Sequence, residues 1–213
     1  MHDLGTFGGI DSFAYGINAS GKATGYATTS GNGSIHAFLY DGTMHDLGTL
    51  GGNASSGYAM NASGNITGSS TVAGTPLSHA FFYDGTMHDL GMLGGLNSYG
   101  RGINASGQIV GDSEIGGDPI QHAFIHDAVH GMVDLNTLIN PANGWNLVLA
   151  NAINDSGQIT GYGTIQGATH GFLLTPVPEP STLVLATFGF TGLAVSSWGR
   201  KCKVQRKTFD TRG

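Results

Sequence analysis

Along the first 175 residues, apolar side chains fall in short runs separated by glycine and by Asn, Asp and Ser. Short apolar runs bounded by turn residues predict strands rather than helices. The runs themselves repeat. MHDLGTFGG at 1–9, MHDLGTLGG at 44–52 and MHDLGMLGG at 87–95 share seven of nine residues. Each is followed by INASG (17–21), MNASG (60–64) or INASG (103–107), then by HAFLYDGT (36–43), HAFFYDGT (79–86) or HAFIHDAV (122–129). The period is 43 residues, and a divergent fourth copy carries MVDL (132–135), INDSGQITGYG (153–163) and HGFLLTP (170–176). Self-similarity at this spacing marks a repeat architecture.

Each copy predicts four strands, in the second copy over 44–50, up to 60–61, over 65–69 and over 79–83. Asn-Ala-Ser-Gly fits a type I turn closed by glycine in the left-handed region, at Gly21, Gly64, Gly107 and Gly157. Asp41-Gly42 and Asp84-Gly85 predict two-residue hairpins joining the HAF strand of one copy to the MHDLG strand of the next. Four strands in 43 residues match the size of a β-propeller blade, with a β-arch solenoid or irregular sandwich as competitors. The expected fold is therefore all-β, a propeller-like array of repeats 1–43, 44–86, 87–131 and 132–175. Residues 1–6 lack a HAF strand before them, and 170–175 lack an MHDLG strand after them. Pairing of the two would close a four-unit ring and remove an exposed edge. Met1 aligns inside a repeat, so further repeats and an export signal are expected upstream.

Composition sharpens this picture. The chain has 37 glycines, only 10% charged residues and a net charge of −6. Six of the eight basic residues lie at or beyond Arg200, so residues 1–175 hold Lys22 and Arg101 against twelve acidic side chains, a net of −10. Such a surface repels nucleic-acid phosphates and tolerates cations and neutral glycans. The single Cys202 excludes an intramolecular disulfide.

The repeats resemble the HAF repeats of extracellular bacterial proteins, named for the motif at His36-Ala37-Phe38 and its equivalents. The resemblance covers residues 1–175. The fourth copy departs from it with Asn136 for the MHDLG glycine, Gly171 for the HAF alanine and a longer segment at 139–150 carrying Trp145, which together suggest an end cap.

The C-terminus has a different grammar. Val177, Pro178, Glu179 and Pro180 lead into an uncharged stretch ending at Gly199, followed by Arg200, Lys201 and Lys203. A helix over 181–199 reaches ~28 Å at 1.5 Å per residue, close to the hydrocarbon core of a bilayer. The expected layout is a linker at 176–181, a transmembrane helix at 182–199 and a basic cytoplasmic tail at 200–213, with the basic cluster stopping transfer. The order Pro-Glu-Pro, apolar span, basic end is similar to the PEP-CTERM sorting signal. That resemblance implies an inner-membrane intermediate, recognition of Pro178, Glu179 and Pro180 by a membrane processing enzyme of the exosortase type, and release to the cell surface or extracellular matrix.

Candidate chemistry is sparse. With a two-residue turn at Asp41-Gly42, Phe38 lies opposite His45, His36 and His45 share a face, and Asp46 points to the other face. His122, His126 and His130 form a local cluster in sequence. Metal ligation needs ligands converging at ~2.0–2.2 Å, which this spacing alone does not provide. Catalytic sites break repeat symmetry with a unique nucleophile and base, whereas the His, Asp and Ser motifs recur in register. Glu114 and Asp118 are unique but fall in a variable loop. No metal, cofactor or catalytic residue is therefore expected. The sequons at Asn18, Asn53, Asn61, Asn65 and Asn104 read as turn residues. The leading expectation is a non-catalytic structural or adhesive surface protein, with exopolysaccharide a candidate partner. The alternatives are a glycan- or divalent-cation-binding module acting through loops 28–35, 71–78, 113–121 and 163–169, or an exported hydrolase.

Overall fold

The computed structural model describes residues 1–116, 120–177 and 202–204. The chain is all-β, as expected, and builds four units of four antiparallel strands, the first two joined edge to edge by a parallel pairing of Ile35 with Ala54. The first holds β1 (Gly8–Ile17), β2 (Ala23–Thr29), β3 (Ile35–Tyr40) and β4 (Met44–Asp46). The second holds β5 (Gly51–Met60), β6 (Ile66–Val72), β7 (Ser78–Tyr83) and β8 (Met87–Asp89). The third holds β9 (Gly94–Ile103), β10 (Ile109–Ile115), β11 (Gln121–Asp127) and β12 (Gly131–Asp134). The fourth holds β13 (Trp145–Ile153), β14 (Ile159–Ile165), β15 (Ala168–Pro176) and β16 (Cys202–Val204).

The structural unit is shifted against the sequence repeat. The segment 44–50 does not form one strand opening a unit. It splits, with Met44–Asp46 closing the first sheet and Gly51 opening the second. The break has a local cause. The Gly48 N–H donates to Asp46 Oδ1 at 2.7 Å, and Gly48 (φ 72) turns through the left-handed region. Asp89 and Gly91 repeat the arrangement, so LGTLGG and LGMLGG are crossovers between units.

Why the motif reads His-Ala-Phe follows from the stacking of the sheets. Phe38, Phe81 and Phe124 are fully buried, and so are Ala37, Ala80 and Ala123 beside them. A strand buried on both faces carries apolar residues at successive positions. Ala37 packs with Ile66 and Phe81 of the second unit, Ala80 with Ile109 and Phe124 of the third, and Ala123 with Ile159 and Phe172 of the fourth. The phenylalanine faces back and the alanine faces forward, its small side chain letting the next sheet approach. At that approach the Ala37 N–H donates to Ser55 Oγ at 2.8 Å, and Ser55 donates to the Gly48 carbonyl at 2.5 Å. Ala80, Ser98 and Gly91 repeat the bridge at 2.8 and 2.5 Å. At the last interface Asn136, in the place of the MHDLG glycine, bonds both backbone groups of Leu147 instead, at 2.7 and 2.9 Å.

Glycine also serves this packing, beyond its turns. A Cβ on Gly57 would overlap Thr24 Oγ1 of the preceding unit, and one on Gly100 would overlap Thr67 Oγ1. The Asn-Ala-Ser-Gly turns form as predicted, with Gly64 N–H donating to the Asn61 carbonyl at 3.0 Å and Gly64 at φ 90. They are joined in a way the turn motif does not predict. Asn18 Nδ2 donates to the Asn61 carbonyl (3.3 Å), Asn61 Nδ2 to the Asn104 carbonyl (3.1 Å) and Asn104 Nδ2 to the Asn154 carbonyl (3.3 Å). One asparagine ladder therefore runs across all four units.

The expected ring is not formed. The array is open and does not close into a propeller. Residues 1–6 form no strand, and the edge of β15 that they were expected to pair is taken by β16. They stay with their own unit instead, where His2 Nε2 lies 2.6 Å from the Tyr40 hydroxyl and Phe7 bridges to Thr29. Among the described residues nothing covers the outer face of the first unit. Ile17 is 74% exposed, whereas its equivalents Ile103 and Ile153 are 8% and 9% exposed. Among the described residues no helix is long and apolar enough to cross a membrane. The expected span at 182–199 lies outside the described residues.

Candidate binding surface

The residues of the expected sorting signal are mostly beyond the described part of the chain. Val177 follows β15 and is exposed. Pro178, Glu179, Pro180, Arg200 and Lys201 lie outside the described residues, and Lys203 sits in β16 opposite Thr175.

The histidines are placed differently from the expectation. Asp41, Gly42 and Thr43 form a three-residue loop, so Tyr40 pairs with Met44, Leu39 with His45 and Phe38 with Asp46. This is one residue out of the two-residue register, and a slip of one flips every side chain of the strand. Asp46, not His45, therefore meets His36, with Oδ2 2.8 Å from Nδ1. His79 meets Asp89 at 2.9 Å and His122 meets Asp134 at 2.6 Å in the same way. His45 turns back to Asp41 at 2.8 Å, and His88 to Asp84 at 2.9 Å. These hydrogen bonds hold the Asp41 and Asp84 carboxyls below the usual carboxylate range, overcoming their slight desolvation.

The cluster His122, His126 and His130 does not converge. His122 belongs to Asp134, and His130 lies 2.8 Å from Asp127. Burial pushes the Asp127 carboxyl up, but the His130 side chain and the Val129 and His130 N–H groups outweigh it and hold it low. His126 pairs with Ile109 and Met132, and burial lowers its pKa against the pull of the Asp127 charge. Among the described residues no three His, Cys, Asp or Glu side chains gather to hold a metal ion.

A second column of positions, on paired strands of successive units, was not singled out by the sequence reading. Phe13 pairs with Tyr26, Ser56 with Ser69, Tyr99 with Asp112 and Leu149 with Tyr162. Two residues beyond the first of each pair stand Tyr15, Tyr58, Arg101 and Asn151. These are equivalent places in the repeat carrying non-equivalent chemistry. Set side by side, the copies reveal the lapse at 13/56/99, 15/58/101 and 26/69/112, and that is the signal a sequence reading could have used.

The side chains of this column touch one another across units. Phe13 lies 5.0 Å from Tyr26, Tyr26 lies 5.9 Å from Tyr15, and Tyr15 lies 5.8 Å from Tyr58 of the next sheet. The Arg101 guanidinium carbon stands 5.4 Å from the Tyr58 ring and 5.2 Å from the Tyr99 ring, within cation–π range. Arg101 Nε donates to Asp112 Oδ1 at 2.8 Å, and Tyr58 and Ser69 hydroxyls meet at 3.2 Å. Asp112 is fully buried, and its Oδ2 has no hydrogen-bond partner among the described residues. Burial pushes the Asp112 carboxyl up, against the hydrogen bond and charge of Arg101. Burial and the neighbouring phenols raise Tyr15, and burial and the Asp112 charge raise Tyr99, so both stay neutral at physiological pH. The column is thus an aromatic row with one fixed guanidinium, suited to stacking and hydrogen bonding, with no nucleophile–base pair in it.

Compared with protein families, characterised proteins and solved structures, the chain matches none.

Proposed function

We propose that this chain is an exported, non-catalytic repeat protein of the bacterial surface or extracellular matrix, routed there by its PEP-CTERM-type C-terminus. The observation that supports a non-catalytic role is the fate of its titratable groups. His36, His79 and His122 each bind the aspartate of their own hairpin, at 2.8, 2.9 and 2.6 Å. Groups that recur as identical structural pairs in three successive units serve the fold, whereas a catalytic centre concentrates unlike groups in one place.

Support for routing comes from the order of residues in the tail. Pro178, Glu179 and Pro180 are the recognition element, 182–199 the inner-membrane span, and Arg200, Lys201 and Lys203 the cytoplasmic stop. On this route an exosortase-type enzyme is the processing partner. The β15–β16 ladder pairs only three residues, Leu174, Thr175 and Pro176 with Val204, Lys203 and Cys202. Membrane insertion of 182–199 requires that short ladder to open. Changing Pro178, Glu179 and Pro180 together to alanine tests the reading in cells that carry the processing enzyme. The expected result is an uncleaved protein retained in the membrane fraction. Release at the normal rate would remove the sorting assignment, and turnover of a chromogenic glycoside or ester by the purified protein would remove the non-catalytic one.

A glycan-binding role is the second reading. The aromatic row favours it, although the row lies on paired strands and not in the variable loops where binding was expected.

A further inference from the structure

Aromatic side chains on a sheet are ordinarily spent on packing. Those of the row are spent only in part, since Phe13 is 48% and Tyr15 is 53% exposed, while Tyr26, Tyr58 and Tyr99 are half-buried. Keeping such apolar faces in water costs free energy that polar side chains at the same places would avoid. The row is also continuous, each ring 5.0–5.9 Å from the next from Phe13 to Tyr58.

Arg101 fits the same purpose. Its Nε is anchored on Asp112 and its plane is held by Tyr58 and Tyr99, yet the side chain remains 34% exposed. The Nη donors have no protein partner among the described residues, so a rigid fork of N–H groups is left to face a ligand. The tyrosine rings carry hydroxyls of their own, and the Tyr58 hydroxyl meets that of Ser69 at 3.2 Å. A ligand suited to this surface has flat apolar faces and a rim of hydroxyls. A pyranose ring has both, its axial C–H groups packing on an aromatic face while its equatorial hydroxyls meet polar neighbours.

We propose that the row Phe13–Tyr26–Tyr15–Tyr58–Arg101 is a binding platform for an extended, uncharged polysaccharide laid across the first three units. Charge selects the uncharged class. Residues 1–175 carry a net of −10, which opposes a polyanion, and the one guanidinium in the row is already paired with Asp112. The inference rests on the reading of the chain as a non-catalytic surface module and names its partner. Because binding is measured on purified protein, failure of binding leaves the sorting test untouched, and failure of sorting leaves this test untouched.

The test is calorimetric titration of the full chain with cellohexaose, xylohexaose and chitohexaose, alongside hexagalacturonate and a decaproline peptide. The expected result is saturable binding of at least one neutral hexasaccharide that changes little between low and high salt. Tyr15→Ala and Tyr58→Ala should each weaken it about tenfold or more, as truncation of an aromatic anchor does. Tyr58→Phe keeps the ring, should keep most of the affinity, and guards against a loss caused by misfolding. No binding by any neutral hexasaccharide would overturn the proposal. Binding unaffected by Tyr15→Ala would overturn it too, as would binding of hexagalacturonate or decaproline alone.

Discussion

Asn61→Ala is the substitution that weighs most on the asparagine ladder. Asn61 is 5% exposed and makes three side-chain hydrogen bonds. Its Oδ1 accepts from the Ser63 and Asn65 N–H groups at 3.1 and 3.0 Å, closing its own turn, and its Nδ2 donates to the Asn104 carbonyl of the next unit at 3.1 Å. At a net ~0.5–1.5 kcal/mol for each bond, the loss comes to about 3 kcal/mol. With a urea m-value of about 2 kcal/mol/M, the midpoint should fall by roughly 1–2 M. Asn18 makes the same turn contacts on the end unit, but it is more exposed, and water replaces much of what is lost. Asn18→Ala should therefore cost only about 1 kcal/mol. Urea unfolding followed by far-ultraviolet circular dichroism measures both. A midpoint for Asn61→Ala indistinguishable from the parent would refute the ladder as a coupling between units, and an equal cost for the two substitutions would refute burial as the source of the difference between Asn61 and Asn18.

Two further substitutions test the packing and the electrostatics. Gly100→Ala places a Cβ against Thr67 Oγ1 and should destabilise by about 1–3 kcal/mol, whereas Gly33→Ala, with open space around it and φ −83, should be near neutral; thermal unfolding distinguishes them. His126 titrates below the ordinary histidine range because burial disfavours its cation. The unfolded chain then binds its proton more readily than the folded one, so its contribution is complete above about pH 6.5 and is lost as pH falls from there through the folded pKa. Thermal unfolding at pH 7.5 and pH 5.0 should show a smaller pH-dependent loss for His126→Gln than for the parent, and equal losses would exclude the assignment.

What could be read without coordinates is local in origin. The 43-residue repeat, the strand content and the Asn-Ala-Ser-Gly turns follow from residues a few places apart. A glycine needed at φ 90, such as Gly64, announces itself within a tetrapeptide. The candidate site was legible only in principle. Phe13, Tyr15, Tyr58, Arg101 and Asp112 lie far apart in the chain, and nothing marks them until the repeats are compared position by position. The recurring histidines are more conspicuous in the sequence, and their recurrence is itself a sign of structural duty.

Tertiary structure decided the rest, and two facts of geometry explain why. Side chains of a strand alternate faces, so one extra residue in the loop at Asp41, Gly42 and Thr43 exchanged His45 for Asp46 beside His36. Sheet stacking joins residues a whole repeat apart, so where a unit begins, which face carries Ala37 and which Phe38, and whether the ends meet depend on contacts no short window contains. The amino-acid order established what each unit is made of, while the packing of unit on unit established the open array and the aromatic row that crosses it.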